Sequence, residues 1–153
     1  MTLTASRKQL SPNWILSILT GLNLLNYLDR YVLSAVLSPL QKDLGINDEQ
    51  AGRLVTAFMI GYFVTSPVFG WLGDRCPRKW LIAVGILVWS LGTILTGFAT
   101  TFAIMLTFRA LVGLGEASYA TISPSLISDS YGPAKRNNAL TIFYVAIPVG
   151  AAL

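Results

Sequence analysis

The sequence predicts an all-α integral membrane protein, on the basis of its composition and the pattern of its apolar residues. Hydrophobic residues make up 54% of the 153 residues, and charged residues only 12%. A soluble domain of this length needs more charge to cover its surface. The apolar residues form five long runs separated by short polar segments, and an α-helix needs about 20 apolar residues to cross a bilayer.

The five runs predict five spans that follow one another with short connections. A basic tail precedes them, and the predicted bounds are: tail 1–13, then spans at about 14–40, 51–73, 80–98, 102–128 and 138–153. Polar or helix-breaking residues mark each connection, including an acidic loop at 41–50 and the breaker Gly132-Pro133. The glycines and prolines inside the spans are common in membrane helices.

The fifth span is still apolar at Leu153, after about 16 residues, which is short of a bilayer crossing. The sequence therefore predicts a fragment of a longer protein. The alternative is a complete short protein whose last helix ends at its carboxylate.

Basic residues predict the orientation. The tail and the connections after spans two and four hold most of them: Arg7, Lys8, Arg75, Arg78, Lys79, Lys135 and Arg136. The opposite side holds Lys42, with Arg53 just inside span two. By the positive-inside rule, the amino terminus and the 74–79 turn are expected to be cytoplasmic, in a bacterial inner (plasma) membrane.

The composition also argues against several classes of function. The net charge of +4 comes from short patches between apolar runs and not from one basic stripe, so no nucleic-acid partner is predicted. The chain has no histidine and one cysteine, Cys76, which excludes a disulfide within it. His-based catalysis and His/Cys metal sites are unavailable. We therefore predict neither an enzyme nor a cofactor or metal site.

The first span carries an acid and a base side by side, Asp29 and Arg30. At the centre of a membrane helix each costs about 2.5–3.5 kcal/mol, so such residues are expected to face a partner, a cavity or a moving ion. Helical geometry places Asn23, Asn26, Arg30 and Ser34 on one polar stripe, beside Tyr27 and Tyr31. Asp29 points about 100° away from Arg30, so the two need not pair with each other.

The fourth span carries two further charges, Arg109 and Glu116. They share a face but lie roughly 10 Å apart along the axis, which is too far for a simple salt bridge. Each is therefore expected to meet a group on another helix, and Asp29 and Arg30 are the other deep charges in the sequence. A seam of small residues would let a neighbouring helix approach closely: Ala110, Gly113, Ala117 and Ala120.

Purely structural interpretations stay open for both sets of polar residues. The stripe on span one suits hydrogen bonds that hold a helical bundle together. The charges can equally form a cluster that locks the bundle, although buried ion pairs are weak evidence for stability. A functional role is favoured, because packing alone needs amides and hydroxyls and not ionisable groups.

The turn between spans two and three, residues 70–79, carries two glycines, one acid and three bases. It resembles motif A of the major facilitator superfamily, glycine-x-x-x-aspartate-arginine-x-glycine-arginine-arginine or lysine. The corresponding residues are Gly70, Gly73, Asp74, Arg75, Arg78 and Lys79, with Pro77 where the motif has its second-half glycine.

Three other segments resemble the spinster family of that superfamily: Asn26 to Tyr31, Arg109 to Tyr119, and Phe143 to Gly150. The resemblance covers about residues 14–153. It implies a major facilitator superfamily fold with twelve helices in two halves, in which this chain supplies helices one to five. The expected partners are the missing carboxy-terminal half, the lipid bilayer, protons and a small-molecule or lipid-like substrate.

We predict a proton-coupled secondary active transporter that works by alternating access, and the resemblance implies an amphiphilic, lipid-like or small organic substrate. Asp29 is the expected principal proton carrier, and Glu116 the most favoured partner of Arg30 and a second proton-coupling residue. The expected substrate or charge-pair residues are Arg30, Arg109, Asn26, Tyr27 and Tyr119. The 70–79 turn is expected to form a cytoplasmic gate, with Asp74 meeting a helix terminus or base in the other half.

Two alternatives remain. The segment Asn-Tyr-x-Asp-Arg also occurs in organic-anion symporters of the same superfamily, in which Arg30 and Arg109 would clamp a carboxylate. A non-transporting membrane scaffold or receptor would keep the bundle without the flux.

Overall fold

A computed structural model of the chain describes residues 11–152, and these form five α-helices. The helices are α1 (Pro12–Leu44), α2 (Asp48–Gly73), α3 (Arg78–Thr96), α4 (Phe102–Ser130) and α5 (Pro133–Ala152). Most of the predicted basic tail, with Arg7 and Lys8, lies outside the described residues, as does Leu153.

Capping residues mark both ends of α1 and the start of α2. The Ser11 hydroxyl accepts a hydrogen bond from the backbone N–H of Trp14, and Pro12 occupies the first turn, where its missing N–H costs nothing. Gly45 ends α1 in the left-handed region at φ 62°, which glycine adopts without strain. Asn47 and Gln50 then form a reciprocal capping box at the start of α2.

The other helices begin at a hydroxyl cap or at a proline. Thr101 accepts a hydrogen bond from the N–H of Ile104 at the start of α4. Pro77 precedes α3 in an extended conformation, and Pro133 is the first residue of α5. Pro77, which stands at the glycine position of the motif, therefore serves to start a helix here.

The helices extend beyond most of the predicted spans because polar cap residues continue them past their apolar parts. α1 runs through Pro39 to Leu44, and α5 begins five residues before the predicted span. α3 ends two residues early, where the N–H groups of Gly97 and Phe98 close a turn. By length and composition, α2 and α3 are apolar enough to cross a membrane. The membrane-embedded part of each helix stays a prediction.

α4 is the central helix of the bundle. It packs extensively against α2 and α3, whereas α1 packs mainly against α5. Its buried residues lie on several sides of the helix, in contrast to the largely exposed α2. The main apolar cluster joins α1, α3, α4 and α5 around the fully buried Tyr119.

Glycines on α4 allow this close packing. A Cβ at Gly113 would collide with the backbone carbonyl of Phe58 on α2. A Cβ at Gly115 would lie 2.5 Å from the backbone nitrogen of Trp89 and 2.6 Å from the carbonyl oxygen of Gly85 on α3. Gly113 of the predicted small-residue seam thus meets α2, whereas Gly115, which the sequence analysis left out, lies on a different face of α4 and meets α3.

Large apolar side chains on the outer faces are exposed, as expected of a surface that meets lipid. Phe63 is 68% exposed, Val64 66% and Leu87 62%.

We expect Gly115→Ala to lower the free energy of unfolding by about 1–3 kcal/mol, because the added methyl collides with backbone atoms that cannot rotate away. Thermal or denaturant unfolding in detergent measures the change. Gly21→Ala is the matched control, since a Cβ there meets nothing within 4 Å. Equal stability of the two variants would contradict the close α3–α4 contact.

Candidate functional site

An ion pair joins α1 to α4 inside the bundle. Arg30 Nε donates a hydrogen bond to Glu116 Oε2 at 2.7 Å. The Glu116 side chain is 1% exposed and the Arg30 side chain 23%. The structure thus places Arg30 against the partner that the sequence analysis favoured. Because the pair is largely removed from solvent, neither charge can lose its partner without a replacement.

Aromatic rings surround the Arg30 guanidinium on its remaining sides. The ring centroids of Tyr27, Phe58 and Tyr62 lie 5.0–5.2 Å from its Cζ atom. Tyr27 is on the same helix, whereas Phe58 and Tyr62 come from α2. These rings attract the cation and shield it from water. Tyr27, a predicted site residue, thus lies beside Arg30, and the sequence analysis did not name the two α2 residues.

Asp29 meets a different helix and a different kind of partner. Its Oδ2 atom accepts hydrogen bonds from Trp89 Nε1 at 2.5 Å and from Thr93 Oγ1 at 2.8 Å, both on α3. Within the described residues, no cation lies within 4 Å of this carboxylate. The two neighbouring charges of α1 are thus separated, as the 100° turn per residue requires.

Arg109 lies near both acids but forms no ion pair within the described part of the chain. It is 7% exposed, and its Nε has no hydrogen-bond partner there. Its guanidinium lies 5.5 Å from the centroid of Phe58, so one ring contacts both arginines. Arg109 and Asp29 line the same cavity, about 200 Å³ in volume, between α1, α3 and α4.

The predicted polar stripe of α1 divides along its length. Asn23 is buried and donates a hydrogen bond to the carbonyl of Phe143 on α5 at 2.9 Å. Asn26 is 1% exposed, and Ser34 is exposed. Asn23 therefore holds α5 in place, which is the structural role that the sequence analysis kept open for this face.

Tyr119 lies in the apolar core and not against the charges. Its hydroxyl donates a hydrogen bond to the carbonyl of Leu19, and its ring packs near Trp89 and Phe143. Its contacts connect α1, α3 and α5 through α4.

A second cluster of charges lies at the carboxyl end of α2, in the 70–79 turn. Arg78 pairs with Asp129, and its Nε donates to the carbonyl of Gly73 at 3.0 Å. Asp74 lies 4.0 Å from Arg78 and its side chain is 77% exposed. Arg78 therefore ties the start of α3 to the end of α2 and the end of α4, and leaves Asp74 accessible.

The remaining residues of the turn contact their own helices or α4. A Cβ added at Gly70 would lie at an ordinary van der Waals distance from Thr121, and one at Gly73 from Ile122. The Arg75 guanidinium lies 4.2 Å from the centroid of Trp71, and Lys79 Nζ 5.7 Å from that of Trp80. An open cavity of about 280 Å³ lies between Asp74, Arg78 and α4.

The sequence analysis missed five residues of these two clusters: Phe58, Tyr62, Trp89, Thr93 and Asp129. The first four resemble ordinary membrane-helix residues, so their sequence carried no signal. Asp129 did carry one, because antiparallel neighbours α3 and α4 must bring residue 78 and residue 129 to the same end of the bundle.

The arrangement places two acids in contrasting settings. Glu116 is neutralised by a guanidinium, whereas Asp29 is held by neutral donors beside a cavity. The described residues contain no group of three or more His, Cys, Asp or Glu side chains able to hold a metal ion.

A family model described as Major Facilitator Superfamily matches residues 19–153. Protein spinster of Drosophila melanogaster is 47% identical over 137 residues, which are 90% of this chain and 23% of the relative. Protein spinster homolog 1 of Homo sapiens is 45% identical over 91% of this chain and 27% of the relative. The Sphingosine-1-phosphate transporter SPNS2 of Danio rerio is 44% identical over 89% and 27%. The chain thus spans about a quarter of the length of these curated relatives.

Solved structures agree with the sequence relatives. The crystal structure of a bacterial homolog to the human lysosomal transporter Spinster, inward-facing and unoccupied, matches with a TM-score of 0.87 and 31% identity, over 91% of this chain and 29% of that chain. The occupied inward-facing form matches with a TM-score of 0.86 and 30% identity, over 94% and 31%. The predicted fold class and the spinster resemblance are confirmed. The chain is an integral, multi-pass membrane protein that belongs to the major facilitator superfamily.

Proposed function

We propose that this chain works within a proton-coupled secondary transporter that moves an amphiphilic, lipid-like or small organic substrate by alternating access. The observation that carries the proposal is the buried Arg30–Glu116 ion pair between α1 and α4, with Asp29 held separately by α3. Buried ionisable groups of membrane helices are typical of substrate and ion pathways. Similar proteins named as transporters support the same function.

In this mechanism the Arg30–Glu116 pair is the exchangeable contact. An anionic group of the substrate replaces Glu116 at the guanidinium, and the rings of Tyr27, Phe58 and Tyr62 offer it an apolar surround. Arg109, without an ion-pair partner in the described residues, supplies a second positive charge near the Phe58 ring. Two guanidiniums near one aromatic ring suit an anionic head group joined to an apolar body.

Asp29 is the proposed proton carrier. Protonation removes a charge that is expensive in the bilayer interior, and release restores it when water reaches the carboxylate. The cavity that Asp29 shares with Arg109 provides space for that water. Because Asp29 and Arg30 are adjacent on one helix, a change at either moves the helix segment that carries both.

The proposed membrane is a bacterial inner membrane. In the proposed orientation the amino terminus and the 70–79 turn lie on its cytoplasmic side. The basic residues of the described chain support it, since Arg75, Arg78 and Lys79 lie in that turn and Lys135 and Arg136 at the same end. The exposed Asp74 is available there to a base or helix terminus of another part of the protein, and would hold the cytoplasmic side shut.

Asp29→Asn is expected to lower proton-driven uptake into proteoliposomes by about tenfold or more, equivalent to ~1.4 kcal/mol, while the protein still inserts. An amide accepts the Trp89 and Thr93 hydrogen bonds but cannot bind or release the coupling proton. Asp43→Asn, at an exposed acid near the end of α1, is the matched control. Unchanged proton-driven uptake by Asp29→Asn would remove Asp29 from the coupling mechanism.

Glu116→Gln and Arg30→Gln should each destabilise the protein, because each leaves a largely buried charge without its partner. We expect the double variant to be less destabilised than the sum, with a coupling energy of about 1–3 kcal/mol by unfolding measurements. All three should lose uptake. A scaffold predicts the same stability changes in a protein that shows no flux before mutation, so wild-type uptake separates the two functions.

Asp74→Asn is expected to shift the conformational population toward the inward-facing state. Cysteine labelling in a Cys76→Ser background reports it: labelling of Ser125→Cys should rise and that of Val36→Cys should fall. These positions line cavities at opposite ends of the bundle. Asp48→Asn, an exposed acid at the other end of α2, is the control. Equal labelling of both sites in Asp74→Asn and wild type would contradict the gate.

A further inference from the structure

The partners of Asp29 are unusual for a carboxylate inside a membrane helix bundle. Both hydrogen bonds end on the same oxygen, Oδ2, and both donors, the Trp89 indole and the Thr93 hydroxyl, are neutral. The donors lie four residues apart on α3, which places them one turn above each other on one face. Two side chains of α3 are therefore directed at one carboxylate oxygen of α1.

The packing of α3 against α4 fixes the position of Trp89. The residue is 6% exposed and packs with Phe58 and Val112. Its backbone nitrogen lies where α4 approaches most closely, opposite Gly115, and its ring lies 6.5 Å from that of Tyr119. The indole N–H thus has a fixed direction that does not depend on Asp29.

The two donors respond differently to the charge of Asp29. An indole N–H can only donate, and its hydrogen bond is strongest to an ionised carboxylate. A threonine hydroxyl donates to the carboxylate but can also accept a hydrogen bond from the protonated acid. Trp89 therefore favours the ionised form, whereas Thr93 can remain bonded to both forms.

The other charged and titratable groups near the middle of the bundle lie on α1, α2, α4 and α5 and not on this part of α3. α3 carries such groups only at its start, Arg78 and Lys79. The groups on neighbouring elements are Tyr27, Arg30 and Tyr31 on α1, Tyr62 on α2, Arg109, Glu116 and Tyr119 on α4, and Tyr144 on α5. Arg109 lines the cavity on one side of Asp29, and an apolar groove of about 380 Å³ between α1 and α3 lies on the other.

We infer that Trp89 and Thr93 are positioning residues that hold the Asp29 carboxylate ionised and against α3, so that protonation weakens the Trp89 contact while Thr93 keeps the acid in place. The inference rests on the proposed function only in treating Asp29 as the proton carrier. It assigns α3 a direct part in the coupling, through hydrogen bonds and without a charge of its own.

The pH dependence of uptake tests the inference. Loss of a donor to the ionised form makes Asp29 easier to protonate, so the half-maximal pH of proton-driven uptake should rise by about one unit in Trp89→Phe, a tenfold change in proton concentration. Thr93→Val should shift it in the same direction by less, because the Thr93 hydroxyl can bond to both forms of the acid, and Thr93→Ser should restore the wild-type value. Trp80→Phe and Ser90→Ala, at exposed positions of α3, are the matched controls. An unchanged half-maximal pH in Trp89→Phe and Thr93→Val would overturn the inference.

A spectroscopic measurement keeps the test independent of uptake. Ultraviolet resonance Raman spectra of the purified protein contain indole bands that are sensitive to hydrogen bonding. The difference between the spectra of wild type and Trp89→Phe gives the Trp89 signal. We expect this signal to change in one pH transition that is absent in Asp29→Asn. A Trp89 signal that is constant with pH, or that changes equally in Asp29→Asn, would overturn the inference.

The two measurements separate failure of the inference from failure of the proposed function. If uptake does not depend on protons but the Trp89 signal titrates with Asp29, the transport proposal fails and the α3 contact stands. If Asp29→Asn abolishes coupling but neither α3 variant changes the pH profile, the transport proposal stands and the inference fails.

Discussion

The buried Glu116 carboxylate is the constraint on which the rest of this bundle depends. A charge at 1% exposure in a membrane protein requires a partner, and Arg30 of α1 supplies it. Glycines on either side of Glu116 make the surrounding contacts possible. Gly113 admits the backbone of Phe58, which brings the α2 rings against Arg30, and Gly115 admits the backbone of Trp89. One segment of α4 thus positions partners for both charges of α1.

The same helical geometry gives the adjacent residues Asp29 and Arg30 opposite surroundings. Arg30 faces a carboxylate and aromatic rings, which stabilise its charge. Asp29 faces neutral donors and a cavity, and these stabilise its charge without fixing it. Protonation of Glu116 breaks an ion pair, whereas protonation of Asp29 weakens hydrogen bonds to neutral donors. This contrast favours Asp29 over Glu116 as the group that changes charge, although the sequence analysis assigned proton coupling to both.

The sequence predicted the five helices and the α1–α4 charge pairing because charged residues inside apolar runs are few and each needs a partner. Caps such as Asn47 with Gln50 extend the helices past their apolar parts, so hydropathy placed most of the ends only approximately. The contacts of Trp89, Thr93 and Phe58 could not be predicted. The sequence does not distinguish an aromatic residue or threonine that faces lipid from one that faces a charge. Tyr119 was predicted to lie near the charges, but its hydroxyl bonds to a backbone carbonyl in the core.

The ion pair also lies at a particular place in the packing of the bundle. α4 is closely packed with α2 and α3, and α1 with α5, whereas the contact between α1 and α4 is less extensive. Arg30 and Glu116 therefore join two groups of helices across the interface where the helices contact each other less. Interfaces of this kind rearrange at lower cost than close-packed ones, because fewer interdigitated side chains must separate. The proposed exchange of the Arg30 partner would thus occur where a change in charge can alter the packing of α1 against α4.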